Sequence, residues 1–223
     1  MSRRVWYSLG AVVLVVNAVQ WVVAEAVTAA AWTDPPYSYA TNYISDLGVP
    51  DCGTQFQGRD ICSPSHQLMN ASFIAEGILF AAAVVLLSGL VTGRVQRVVI
   101  GLGIVHGVGM VLVGLFHGSQ DGPDSGLVIH VAGAAVGILC ANTLAIMAGS
   151  LRSLGLPPAY RVFSITVGSL GLLSEAFVGM STSTAGVFER GGVYSWLLWS
   201  VGTGGLLLLS RRSSPAMVEN ALA

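Results

Sequence analysis

The side chains best placed to do chemistry are the histidines and the glutamates that lie in or beside long apolar runs. These are His66, His106, His117, His130, Glu25, Glu76 and Glu175. Ionisable residues in membrane-type helices are costly and usually face the interior of a bundle, where they mark functional sites. Imidazole and carboxylate groups bind divalent metals such as zinc, and a buried glutamate beside a histidine can act as a general acid or base. The residue types therefore fit a metal site, acid–base chemistry on a lipid headgroup, or binding without chemistry.

Long apolar stretches must position these residues. A helix that crosses a membrane needs about 20 apolar residues, and six stretches qualify: 5–32, 68–90, 98–116, 127–150, 162–180 and 193–209. Only 9% of the residues are charged, against about 25% in soluble domains, which excludes a soluble globular protein and a nucleic-acid binder. We expect an all-α, polytopic membrane bundle of six transmembrane helices that forms one domain over residues 1–212, followed by a short cytoplasmic tail at 213–223.

The arginines give this bundle an orientation. Eight of the ten basic residues, all arginine, lie before the first span, in the loops at 91–97 and 151–161, or after the last span. The positive-inside rule places these segments and both termini in the cytoplasm. We therefore expect a multi-pass protein of a prokaryotic plasma membrane, with the lipid bilayer as partner. The sequence does not determine the oligomeric state. A cleaved signal peptide is the alternative for the first span, but its apolar region is longer than usual.

Depth in the membrane indicates where the ionisable residues collect. At a rise of 1.5 Å per residue, Glu25 and Glu175 lie roughly 10 Å below the outer surface, and Glu76 lies slightly deeper. His66, His117 and His130 lie at the outer ends of helices. The pattern predicts a polar cavity open to the outer face. Glycines at Gly103 and Gly107, and at Gly133 and Gly137 below His130, favour close helix packing.

Several roles remain open for these groups. Metal candidates are His66, His117, His130, Asp46 and Asp121, although the histidines lack a local ligand spacing such as His-x-x-x-His. Catalytic candidates are Asp46, His66, Glu76 and His130. The structural alternative is that these groups satisfy one another and nearby carbonyls and so fix the helix register. Asp121 also belongs to an Asp-Gly-Pro-Asp turn pattern that needs no functional explanation.

The first outer loop, 33–67, is the longest segment outside the membrane, and loops of this length are often functional. Cys52 and Cys62 lie in it, on the oxidising side, and we expect a disulfide between them. A metal site that uses both cysteines is the alternative, but it lacks a third soft ligand nearby. Residues 189–192, Glu-Arg-Gly-Gly, are expected to form a short outer turn.

The run Asn-Tyr-Ile-Ser-Asp-Leu-Gly at 42–48 is the most distinctive motif. With Ser38, His66, Asn70, Phe73, Gly77, Gly114-Leu115-Phe116 and His130, it resembles the prokaryotic membrane proteins known as domain of unknown function 998. The resemblance covers nearly the whole chain and includes the six-helix count. It implies no established activity, but it directs attention to Asn42, Ser45, Asp46, His66, Asn70 and His130. His117 is a departure, since the family pattern leads us to expect proline there.

The residues of this run also have local explanations. Ser45 and Asp46 can cap a helix or form an Asx turn, and Gly48 can adopt a positive φ. Asn42 and Asp46 share a face if the segment is helical.

A non-catalytic function is the preferred hypothesis: the outer cavity binds a lipid or envelope-related ligand, or the protein is an accessory to envelope machinery. The candidate ligand-binding residues are Asn42, Ser45, Asp46, His66, Asn70, Glu76, His117, His130 and Glu175. The alternative is a membrane-embedded hydrolase or transferase that acts on lipid headgroups with or without a metal. A small-solute transporter is third, because the inner halves of the helices lack ionisable residues.

Overall fold

The computed structural model describes residues 2–50, 52–56, 59–117 and 125–213, and its main elements are α-helices. These are α1 (Arg3–Ala31), α2 (His66–Leu87), α3 (Gly93–Leu115), α4 (Ser125–Ser150), α5 (Pro158–Ala176) and α6 (Ala185–Ser213). The segment between α1 and α2 contains a 3₁₀ helix (Ser45–Gly48) and an antiparallel hairpin of β1 (Thr54–Phe56) and β2 (Arg59–Ile61). The predicted all-α class is confirmed.

Five of these helices, all but α5, are long and apolar enough to cross a membrane, which indicates a multi-pass membrane protein. Their outer faces fit that environment. On α1, residues three or four apart form a buried stripe that includes Leu14, Asn17 and Trp21, because such spacing places side chains on one helix face. The other face exposes valines such as Val19 and Val23, each more than half exposed.

The helices form a closed ring. Each packs against its neighbours in sequence, α1 also packs against α6, and α4 touches α6 as well. Because successive helices alternate in direction, the segment 32–65 lies at the same end as the starts of α4 and α6. We call this the loop end. The helix α5 contacts only α4 and α6 substantially and buries few side chains.

Glycines allow the close approach of α2, α3 and α4, as their spacing predicts. A Cβ atom at Gly77 would lie 2.4 Å from the Gly107 carbonyl oxygen, and one at Gly107 would lie 2.5 Å from the Gly77 carbonyl oxygen. Gly109 and Gly133 make the equivalent contact between α3 and α4, at 2.6 and 2.7 Å. Any side chain at these positions would separate the helices.

Two local expectations are wrong. Residues 189–192 do not form a turn, because α6 begins at Ala185 and includes them. Because this segment contains charged residues and glycines, the sequence did not reveal the two helical turns that precede the apolar stretch 193–209. Gly48 is not among the glycines with positive φ. Its lack of a side chain serves packing instead, since a Cβ atom there would lie 2.3 Å from Asn70 Oδ1.

Candidate functional site

Three buried pairs of oppositely charged or ionisable side chains connect the loop end with the middle of the bundle. They are Asp46–Arg59, Glu25–Arg190 and Glu76–His106, with contacts of 2.9, 2.9 and 3.0 Å. Buried charges are tolerated when they are paired and hydrogen-bonded. Each pair therefore needs further partners, and these show what the arrangement can do.

Asp46 organises the segment between α1 and α2. Its Oδ2 atom accepts hydrogen bonds from Arg59 Nε at 2.9 Å, from the Tyr43 amide at 2.9 Å and from Asn42 Nδ2 at 3.3 Å. Arg59 Nη2 donates to Oδ1 at 3.2 Å, and the guanidinium lies 4.4 Å above the Tyr43 ring centre. Asn42 and Asp46 are thus in contact. Asp46 is held as a structural anion that joins the loop to β2.

Arg190 ties α6 to the same loop and to α1. Its Nε atom donates to Glu25 Oε1 at 2.9 Å, and Nη2 donates to the Tyr37 hydroxyl. Burial raises the pKa of this hydroxyl, so Tyr37 is neutral. Three backbone carbonyl oxygens accept from Nη1, those of Tyr39, Asn42 and Gly186. A single guanidinium therefore holds the loop backbone against the helix bundle.

Glu76 and His106 form the innermost pair, and both are fully buried. His106 Nε2 lies 3.0 Å from each Glu76 oxygen, and Nδ1 lies 2.8 Å from the Gly137 carbonyl oxygen. Because a carbonyl only accepts, Nδ1 carries a hydrogen, and another proton lies between Nε2 and the carboxylate. Asn17 Nδ2 and Trp196 Nε1 also donate to Glu76 Oε1, each at 3.2 Å. Five helices therefore meet at this pair.

The remaining candidates have local partners. His66 Nδ1 lies 3.0 Å from the Ser63 carbonyl oxygen, and Asn70 Nδ2 donates to the Gly48 carbonyl at 2.8 Å. His130 Nδ1 lies 3.1 and 2.7 Å from the carbonyl oxygens of Val113 and Phe116. His130 belongs to α4, and its ring therefore packs against the carboxyl end of α3, where backbone carbonyl oxygens lack helical partners.

Three other candidates, Ser45, His117 and Glu175, lie at or beside the ends of elements. Ser45 begins the 3₁₀ helix, and His117 lies just beyond α3. Glu175, near the end of α5, has a buried Oε2 atom without a hydrogen-bond partner among the described residues. Asp121 lies outside the described residues. Within the described ranges, no group of three or more histidine, cysteine, aspartate or glutamate side chains is arranged to hold a metal ion.

Cys52 and Cys62 are joined by a disulfide. The bond lies beside the hairpin, in which Thr54 pairs with Ile61. It closes the base of the hairpin that carries Arg59.

A cavity of about 320 Å³ opens at the loop end. Its lining comes from residues 32–42, from β2 and from the turn before α6: Trp32, Pro35, Pro36, Ser38, Thr41, Asn42, Arg59, Asp60, Thr182 and Ser183. This volume is at the lower end of the range for small-molecule sites. Asn42 connects the cavity to the Asp46 and Arg190 contacts.

Sequence reasoning missed most of the partners. His106 lies near the middle of α3, and its pairing with Glu76 was not foreseen. The signal that could have suggested this pair is depth along the two helices. Glu76 lies ten residues from the loop end of α2, and His106 lies nine residues from the loop end of α3. The roles of Arg190 and Glu189 were concealed by the expected turn. Glu189 Oε2 accepts a hydrogen bond from the Ile44 amide.

The apolar helix surfaces and the buried polar contacts define this chain as a multi-pass, membrane-type helical bundle whose loop end carries a polar cavity. The model of the family described as "Protein of unknown function (DUF998)" matches residues 11–205. The chain belongs to this family, so the resemblance seen in the sequence is confirmed. No match was found among curated proteins or among solved structures.

Proposed function

We propose that this protein lies in the plasma membrane of a prokaryotic cell and binds a lipid or envelope-related ligand in the loop-end cavity. In this proposal all six helices cross the membrane as one domain over residues 1–212, both termini are cytoplasmic, and the cavity faces outward. The arginine distribution supports this orientation.

The lining of the cavity carries the proposal. Three separate segments converge on it, and the Asp46 and Arg190 contacts hold two of them in place. A largely pre-formed pocket with a few oriented polar groups is typical of ligand sites. Its position at one end of an apolar bundle gives a lipid headgroup access while the acyl chains stay beside the helices.

Binding is favoured over catalysis by the positions of the catalytic candidates. Among the described residues that line the cavity, none is Asp46, His66, Glu76 or His130. Asp46 is engaged by Arg59, and Glu76 is fully buried in the bundle. An acid–base pair must lie within hydrogen-bond reach of its substrate, and these residues do not provide one at this cavity.

The test is to fill the cavity and to identify what is lost. Ser183 is exposed and lines the cavity, so Ser183→Trp should block it without disturbing the core. Val187→Trp, at an exposed position on α6, is the matched control. Protein purified in native lipid discs is analysed by mass spectrometry of the extracted lipids. We expect an enriched lipid in the wild type and in Val187→Trp but not in Ser183→Trp. Identical lipid profiles in all three proteins would contradict the proposal.

A further inference from the structure

We infer that the loop-end cavity selects an uncharged, hydroxyl-rich group, the chemistry of a sugar, as a membrane glycolipid headgroup or as a free sugar. This inference rests on the proposed ligand-binding function and adds the chemical class of the ligand. It is carried by three properties of the lining: its hydroxyl content, its apolar rings and its charge balance.

Hydroxyl groups dominate the polar lining. Ser38, Thr41, Thr182 and Ser183 line the cavity and each carries one, and a hydroxyl can donate and accept at the same time. The Ser38 oxygen accepts from the Thr41 amide at 3.3 Å, which leaves its hydrogen to be donated. Such groups match sugar hydroxyls, which also need both a donor and an acceptor at each position.

Asn42 is pre-oriented for the same purpose. Its Oδ1 atom accepts from the Ser38 amide at 3.1 Å, and its Nδ2 atom donates to Asp46 Oδ2 at 3.3 Å. These two bonds fix the rotation of the amide. A carboxamide has two donor hydrogens and two acceptor lone pairs, so Asn42 retains capacity for a ligand without having to reorient.

The apolar part of the lining comes from the rings of Trp32, Pro35 and Pro36. Such rings suit the C–H faces of a sugar, and an indole also offers a polar N–H group. Trp32 is only 3% exposed, yet its Nε1 atom has no hydrogen-bond partner among the described residues. A buried donor of this kind is expected to find an acceptor, which a bound hydroxyl could provide after a small shift of the ring.

The charge balance argues against an anionic headgroup. Arg59 is the cation among the described lining residues, but two of its nitrogens donate to Asp46. The lining also contains the carboxylate of Asp60. Phosphate recognition relies on cationic side chains that direct their hydrogen bonds to the anion, and here the guanidinium is directed to Asp46. A quaternary ammonium headgroup is typically held among several aromatic faces, and the described lining contributes a single aromatic ring.

The test measures lipid selectivity with the full-length chain in lipid discs by native mass spectrometry. The probes are glucosyl diacylglycerol, phosphatidic acid and phosphatidylcholine with identical acyl chains. We expect the glucosyl lipid to bind at least about tenfold more tightly than either phospholipid, because sites built to hydrogen-bond hydroxyls reject analogues that lack them.

Thr182→Val combined with Ser183→Ala should abolish the preference. Thr184→Val, in the same turn but outside the lining, should keep it. Competition by free methyl glucoside would identify a soluble sugar as the source, and its failure to compete would identify the glycolipid.

Other outcomes overturn the inference. Tighter binding of phosphatidic acid would indicate a site for an anionic headgroup, and tighter binding of phosphatidylcholine a site for a quaternary ammonium group. A glycolipid preference that survives in the double variant would place the sugar elsewhere. If no probe is preferred but Ser183→Trp still loses a native lipid, the inference fails while the proposed function stands. If that lipid loss is also absent, both fail.

Discussion

Glu76 lies at a point where α1, α3 and α6 each direct a hydrogen-bonding nitrogen onto its carboxyl group, from Asn17, His106 and Trp196. Removing one member of a buried ion pair leaves its partner uncompensated and costs roughly 3–5 kcal/mol. We therefore predict that Glu76→Ala and His106→Ala each lower the free energy of unfolding by about that amount. Thermal or denaturant unfolding of the purified protein in detergent measures the loss.

The double variant separates pairing from simple loss of volume. Glu76→Leu combined with His106→Leu removes both ionisable groups and should be much less destabilising than the two single leucine variants added together. Additive losses in the leucine series would show that Glu76 and His106 act independently and would contradict the pairing.

At the residue scale, the sequence identified the polar groups but paired few of them. Glu76 stood out because a carboxylate in an apolar stretch is costly. Its partners Asn17 and Trp196 come from helices far apart in the chain, and only the closed ring brings them together. Asn42 and Asp46 were easier to relate, because they are four residues apart and local geometry is enough.

At the element scale, helix existence followed from apolar length, whereas helix ends did not. The expected sixth stretch, 193–209, lies inside α6, which runs from Ala185 to Ser213. A hydropathy pattern ends where side chains become polar, but the backbone continues as a helix while tertiary contacts support it. Here Arg190 is held by Glu25 and by loop carbonyls, so the polar start of α6 is stabilised by partners outside the helix.

The contact between α2 and α3 gives an element-scale prediction with an internal control. A methyl group at Gly107 would lie 2.5 Å from the backbone oxygen of Gly77, whereas one at Gly101 would meet no atom within 4 Å. We predict that Gly107→Ala destabilises the protein by about 1–3 kcal/mol, as overpacked cores do. Gly101→Ala, on the same helix, should be neutral or slightly stabilising. Unfolding midpoints in one detergent compare the two, and equal values would refute the close approach.

At the scale of the whole molecule, the low charge content indicated a membrane protein, and the positions of the charges indicated an orientation and the candidate site residues. Six of the ionisable side chains form three buried pairs towards one end of a ring of helices. Composition could not reveal the ring, because the contact of α1 with α6 joins the two ends of the fold. It also could not reveal the cavity, which three distant segments of the chain build together.

The orientation and span count of the whole molecule are tested by cysteine labelling from outside intact cells. In a variant that lacks Cys140, single cysteines are placed at the exposed positions Thr33, Thr92, Ser153 and Ser183. The first and last lie at the loop end, and the other two lie in turns at the opposite end. Because arginines flank those opposite turns, the positive-inside rule predicts that a membrane-impermeant maleimide labels Thr33→Cys and Ser183→Cys directly, and the other two only after permeabilisation. The reversed pattern would contradict the orientation. Labelling of both Ser153→Cys and Ser183→Cys from outside would show that α5 does not cross the membrane.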